Sequence, residues 1–243
     1  MKLIFRKAHA YFYAACVGVF YFLFWPLFWY FSRKPSRYGP MSRWRKRLGL
    51  LSSGAAGIFY RFEYEEPIDW SKTYIVCGNH TSYLDISAMC LLVKSTCSFM
   101  GKADLADGPV TRLFFKSLDI PVDRDSKMSS FRAFKKAGER LGEGMTMIIF
   151  PEGGIASEYP PRLQEFKNGP FRLAIEYKVP IIPVTSTHVW EMFWDDAFKH
   201  GSNPGIARFH VHKPIKTDGL TVADADALRD KVFEVMQAEL SKN

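Results

Sequence analysis

Two short runs in this 243-residue chain carry side chains capable of acid–base chemistry. The first, Val76-Cys77-Gly78-Asn79-His80-Thr81-Ser82-Tyr83-Leu84-Asp85, sets an imidazole five positions before a carboxylate. An imidazole titrating near neutral pH is a good general base. A carboxylate that holds its Nδ1 proton fixes the tautomer and leaves Nε2 free to take a proton from an alcohol. It also stabilises the imidazolium that forms. His188, His210 and His212 have no Asp at that spacing. The second run, Phe150-Pro151-Glu152-Gly153-Gly154, puts a carboxylate on a glycine-rich turn. Both runs also have a structural explanation: Ser82-x-x-Asp85 reads as a helix capping box, and Pro-Glu-Gly-Gly as an ordinary turn.

The elements around these runs alternate between strand and helix. Thr73–Cys77 reads as a buried strand ending at Gly78-Asn79, and Thr81 onward as a helix to about Leu92, with Thr81 or Ser82 capping it. Met145–Phe150 is a continuous apolar strand, of the kind found in sheets covered on both faces. Its Glu lies at the strand's C-terminal end, where α/β sheets usually place ligands. Further strands are expected at 61–66, 98–101, 120–122, 181–185 and, as an edge or half-buried strand, 207–212. Helices are expected at 113–118, 129–142, 171–177 and 221–240. In the second of these Phe131, Phe134, Ala137 and Leu141 share one face. The expected body is therefore α/β, a mixed sheet flanked by helices.

The N-terminus is of another kind. Tyr11 to Phe31 holds 21 residues without a charge, twelve of them aromatic. As a helix it is about 30 Å long, enough to cross a hydrocarbon core, with Pro26 a point of kinking. Residues 1–47 carry ten Lys or Arg and no acid, leaving 23 basic and 25 acidic residues in the rest. Basicity confined to the two flanks of an apolar run is unlike a nucleic-acid binder and suits anionic headgroups. Leu48–Tyr60 is a second uncharged stretch, too short to span. We expect two parts: membrane-anchoring helices over 1–60, both lying in one leaflet, and a catalytic domain over 61–243. Trp25, Trp29, Arg43, Arg45 and Arg47 are expected to set the depth. The positive excess after the apolar run places the body on the cytoplasmic face. The four cysteines show no metal spacing and no paired framework, as for reduced thiols in a cytosol-facing protein. Cys77, in a buried strand, is not expected to be a nucleophile.

Taken in order, these runs resemble the motifs of the 1-acylglycerol-3-phosphate acyltransferase family. The likeness spans about Thr73 to Thr185. H-x-x-x-x-D falls on His80 and Asp85, and F-P-E-G on Phe150, Pro151, Glu152 and Gly153. Between them an apolar stretch ending in Arg looks like Ile120-Pro121-Val122-Asp123-Arg124. An apolar strand around proline looks like Val179–Val184. The resemblance implies transfer of a fatty acyl group from acyl-CoA or acyl-carrier protein to the sn-2 hydroxyl of lysophosphatidic acid. His80 and Asp85 would be catalytic, Glu152 and Gly153 would bind substrate, and no metal or other cofactor would be needed. Gly154-Ile155 departs from the pattern, because many members carry a basic or hydroxyl residue there. Lys102, Arg124 and Lys167 remain to hold an anion, which leaves another lyso-lipid acceptor open. So does a catalytically silent lipid-binding module, although such a module has no need of His80, Asp85 and Glu152 together.

Overall fold

The continuous apolar runs form the middle of a seven-stranded sheet. The computed structural model describes residues 1–155, 157–194 and 197–242. The strands are β1 (Ile58–Tyr64), β2 (Ile75–Gly78), β3 (Cys97–Lys102), β4 (Ile120–Val122), β5 (Thr146–Ile149), β6 (Ile181–Ser186) and β7 (Gly205–Val211). Their order across the sheet is β1-β7-β6-β2-β5-β3-β4. Strands β6, β2, β5, β3 and β4 run parallel. Strand β7 is antiparallel to β6, and β1 runs parallel to β7. The sheet is mixed, as expected. Its central strands β2 and β5 are buried at every position, which is why they lack alternation. Strand β7 is the half-buried strand expected and not an edge, because β1 covers it.

Nine helices are described: α1 (Lys2–Ser32), α2 (Tyr38–Ala55), α3 (Leu84–Leu92), α4 (Arg112–Phe115), α5 (Lys127–Gly142), α6 (Gly169–Glu176), α7 (Val189–Met192), α8 (Ala197–His200) and α9 (Ala225–Leu240). One face of the sheet packs on α3, with Leu84, Ala88, Met89 and Leu92 against Val76, Ile148 and Ile182. The other face carries α5, α6 and α9, whose Ala137, Leu141, Phe171, Leu228 and Val232 meet Ile75, Met147 and Ile181. In α5 the buried stripe runs through Ala133, Ala137 and Leu141, and Phe131 is 66% exposed. Sequence spacing alone had put Phe131 on that stripe, but a 100° step per residue carries it off the packed face.

Helix α1 is longer than its apolar run, about 46 Å at 1.5 Å per residue, and Pro26 lies inside it. One face docks on the body along most of its length. Near the start, His9 reaches Ser202 Oγ (2.6 Å) and the Ala56 carbonyl (2.8 Å), and the Arg6 guanidinium donates to the Glu191 carbonyl. Tyr13 packs edge-on against Phe193. Further along, Tyr21, Phe24 and Phe28 pack on Met41, Trp44 and Phe114. The opposite face exposes Phe12, Val19, Phe22, Leu23, Trp25, Trp29 and Tyr30. The second helix begins ten residues before the uncharged stretch and ends at Ala55, so Ile58 to Tyr60 belongs to β1. Arg45 does not face headgroups. It is buried, its Nη1 lies 2.8 Å from both Asp119 oxygens, and its Nη2 donates to the Cys97 carbonyl. Arg43 and Arg47 stay exposed.

Candidate active site

Strands β2 and β5 are adjacent and parallel, with Cys77 opposite Ile149. His80 follows Cys77 by three residues and Glu152 follows Ile149 by three. The two sequence runs therefore leave the same end of the sheet side by side. This is the C-terminal strand end, where backbone leaves the ladder and can be spent on a site.

His80 is held by its Nδ1, its ring and its backbone. Its Nδ1 lies 3.2 Å from Asp85 Oδ2. An ionised carboxylate only accepts, so the proton sits on Nδ1 and the Nε2 lone pair is free. The ring stacks on Phe150, centroids 4.0 Å apart and planes 14° from parallel. The His80 N–H donates to Glu152 Oε1 at 2.7 Å. Just before it, Asn79 is buried, donating to the Ser186 carbonyl and accepting from the Ser186 N–H. The turn is thus pinned to β6 as well as to β5.

Asp85, fully buried in the first turn of α3, serves two purposes. Its Oδ2 accepts from the backbone N–H groups of Thr81 (2.7 Å) and Ser82 (2.8 Å) as well as from His80. The carboxylate arm of a capping box and an imidazole partner are here one group. The Ser82 hydroxyl donates to the Phe193 carbonyl and accepts from the Leu84 N–H at 3.1 Å, one residue short of the Asp85 N–H that would complete the box.

Glu152 is also internal. Its oxygens accept from the His80 N–H and from the Gln164 N–H (2.8 Å). Burial raises its carboxyl to about 7; these two N–H groups pull the other way, and Asp85 adds to the rise. With both oxygens engaged, Glu152 fixes the turn that carries His80, and it also lines the cleft beside that turn. Gly153 stands at φ +90°, a conformation open to glycine, and a Cβ there would lie 3.2 Å from Arg124 Nη1.

Beside this turn opens a cleft of about 1060 Å³. Arg124, Lys167, Gly153, Gly154 and Ile155 line it, together with Phe134 and Leu173 at its apolar side. Arg124 follows β4, and Lys167 donates its backbone N–H to the Pro151 carbonyl. The structure brings His80, Asp85, Glu152, Gly153, Arg124 and Lys167 to one end of the sheet. Lys102 ends β3 at the same end of the sheet, opposite Val122, but it lies outside the cleft, exposed, and its ammonium pairs with Asp104. Cys77 is buried, and burial pushes its thiol far up, as for an inert cysteine.

Residues 60–187, which contain both runs and Arg124, match the acyltransferase family. The chain belongs to that family. The acyltransferase is 29% identical over 192 residues to an uncharacterised acyltransferase of Schizosaccharomyces pombe, covering 78% of this chain and 68% of that protein. It is 28% identical to human 1-acyl-sn-glycerol-3-phosphate acyltransferase beta, covering 73% of this chain and 64% of the relative. For the mouse alpha enzyme the values are 27%, 68% and 58%. The acyltransferase thus spans about three-fifths of the length of these mammalian relatives. Its fold is that of the 1-acyl-sn-glycerophosphate acyltransferase PlsC of Thermotoga maritima: TM-score 0.80 over 100% of this chain and 98% of that one, at 21% identity.

Sequence reasoning missed the bracing around His80. Phe150 was read only as part of a motif, yet a flat ring directly after an apolar strand was the available signal for a stack. Asn79 to Ser186 and Glu152 to Gln164 span 107 and 12 residues. No local pattern encodes them.

Proposed function

We propose that this acyltransferase moves a fatty acyl group from acyl-CoA or acyl-carrier protein to the sn-2 hydroxyl of lysophosphatidic acid, giving phosphatidic acid. The observation that carries the reading is the His80 ring, with Nδ1 on Asp85 and Nε2 free, stacked on Phe150, which lines the cleft that also holds Arg124 and Lys167. In the proposed step, Nε2 takes the hydroxyl proton as the oxygen attacks the thioester carbonyl carbon. The tetrahedral intermediate collapses, the C–S bond breaks, and the imidazolium returns its proton to the departing sulfur. Asp85 stabilises the imidazolium. Arg124 and Lys167 hold the acceptor phosphate through charge-assisted hydrogen bonds. The donor is a co-substrate, and no resident cofactor enters the step. The names of the mammalian relatives point to the same acceptor.

The membrane is the proposed site of action. A helix docked on the body from Arg6 to Phe28, with its other face aromatic and exposed, supports burial in one leaflet better than a crossing. Trp25 and Trp29 would lie at the headgroup boundary and Arg43 and Arg47 against anionic headgroups, with the cleft on the cytoplasmic side. The reading is tested by mass spectrometry of products formed by the purified protein from a thioester and a panel of lyso-acceptors. Preference for lysophosphatidic acid supports it. Preference for a lyso-aminolipid or a neutral-headed lysophospholipid would shift the acceptor while leaving the chemistry intact, and no turnover with any would favour a lipid-binding module.

A further inference from the structure

At the other side of the sheet, Glu65, His210 and His212 form a cluster with no part in acyl transfer. Residues two apart on a strand face the same way, so His210 and His212 project together from the end of β7. Strand β1 runs parallel to β7 with Tyr64 opposite Val211, and the Glu65 N–H donates to the Val211 carbonyl at 3.0 Å. That register delivers the Glu65 carboxylate to both rings. Glu65 Oε1 lies 2.8 Å from His212 Nδ1 and 3.2 Å from His210 Nε2. The three ligand atoms lie within 4.8 Å of one another. Ligands of a tetrahedral zinc ion, at about 2.0–2.1 Å from the metal, stand roughly 3.3 Å apart.

The surroundings match as well. The far nitrogen of His212 faces an oxygen that can fix its tautomer, Thr185 Oγ1 at 2.9 Å. Outer partners of this kind commonly orient metal-binding imidazoles. A Glu239 oxygen lies 3.7 Å from His210 Nδ1, beyond hydrogen-bond distance. The other Glu65 oxygen accepts from the Lys213 N–H at 2.9 Å. His212 is buried, whereas His210 keeps its side chain 24% exposed, which leaves a way in for an ion and for water. Burial lowers the His212 imidazole against the pull of Glu65. Burial also opposes ionisation of Glu65, but hydrogen bonds from Lys213 and the two imidazoles outweigh it and bring the carboxyl down to about 2.

We propose that Glu65, His210 and His212 bind a divalent transition-metal ion of the zinc class and so clip β1 to β7. Two imidazoles and a carboxylate suit such an ion better than calcium or magnesium, which favour all-oxygen sites. The clip bears on the acyl-transfer site through one connection. Thr185, against His212, precedes Ser186, which braces Asn79 beside His80.

The test is titration of chelator-stripped, tag-free full chain in detergent with Zn²⁺ by calorimetry, and with Co²⁺ by visible absorption. The expected result is one equivalent of Zn²⁺ per chain and the intense visible bands of four-coordinate Co²⁺. Both should weaken by more than tenfold in His210→Ala and Glu65→Gln. Thr185→Val, which touches only the far side of a ring, should weaken them by about tenfold. His80→Ala should bind as wild type does, separating this site from the catalytic histidine. Circular dichroism checks the fold of each variant, and the wild-type cobalt spectrum decides the matter if any fails. No binding by wild type, or equal binding by His210→Ala and Glu65→Gln, would overturn the proposal and leave a proton-linked hydrogen-bond cluster.

Discussion

Replacing Glu152 by Gln should change how stability depends on pH, in a direction fixed by burial. The Glu152 side chain is buried, and its carboxyl stands at about 7 against a usual 4.5. Below pH 4.5 the group is protonated in both folded and unfolded chains and costs nothing. As pH rises from 4.5 to 7 the unfolded chain loses this proton while the folded one keeps it, so stability falls. At about 1.4 kcal/mol per pH unit the full effect is about 3 kcal/mol, complete above pH 7. Glu152→Gln removes this dependence. It adds a pH-independent offset of about 1–3 kcal/mol, because an amide has one acceptor oxygen where two buried N–H groups, of His80 and Gln164, point. Urea unfolding of both proteins in the same detergent, from pH 4.5 to 7.5, reads slope and offset separately. The wild-type advantage should shrink by about 3 kcal/mol across that range. Two parallel curves would show that Glu152 ionises freely in the folded protein, and the account of its burial would be wrong.

Three other substitutions follow from the geometry. Asp85→Asn should cut kcat by about 10³–10⁴ with little change in KM, because the imidazole loses its tautomer and its counter-charge; a change confined to KM would place Asp85 in binding. Arg45→Ala leaves the Asp119 carboxylate buried without its bidentate partner, so thermal or urea unfolding should show a loss of about 3–5 kcal/mol. A loss below about 1 kcal/mol would return Arg45 to the surface role that sequence reading had given it. Arg124→Ala should raise the acceptor KM about tenfold or more, the value of a charge-assisted contact, and leave the thioester KM nearly unchanged; equal rises in both would assign Arg124 to the fold or the donor site.

The sheet and its flanking helices were legible in the sequence because each strand is a short apolar run closed by a turn signal. Boundaries moved by up to four residues, as for α9, expected from residue 221 and observed from Ala225. The order of the strands was not legible. It arises from pairings such as Ile75 with both Met147 and Ile181, contacts with no local trace. In the site, the relation of His80 to Asp85 could be read because both lie on one turn and one helix start. The relation of His80 to Glu152 became visible only when β2 and β5 were seen to be neighbours. Arg45 was misread for a physical reason. Spacing marks a cation in a basic run as exposed, and only the fold reveals that Asp119, 74 residues away, neutralises it. The basic run did correctly mark Arg43 and Arg47 as surface cations.

The most direct measurement of the central claim is single-turnover acyl transfer by purified wild type and His80→Ala, with labelled acyl-CoA and lysophosphatidic acid in detergent micelles. Circular dichroism and unfolding curves would confirm that both proteins are folded. The account predicts labelled phosphatidic acid from wild type and a rate lower by about 10²–10⁴ or more in His80→Ala. A folded His80→Ala protein that forms phosphatidic acid at the wild-type rate would contradict it.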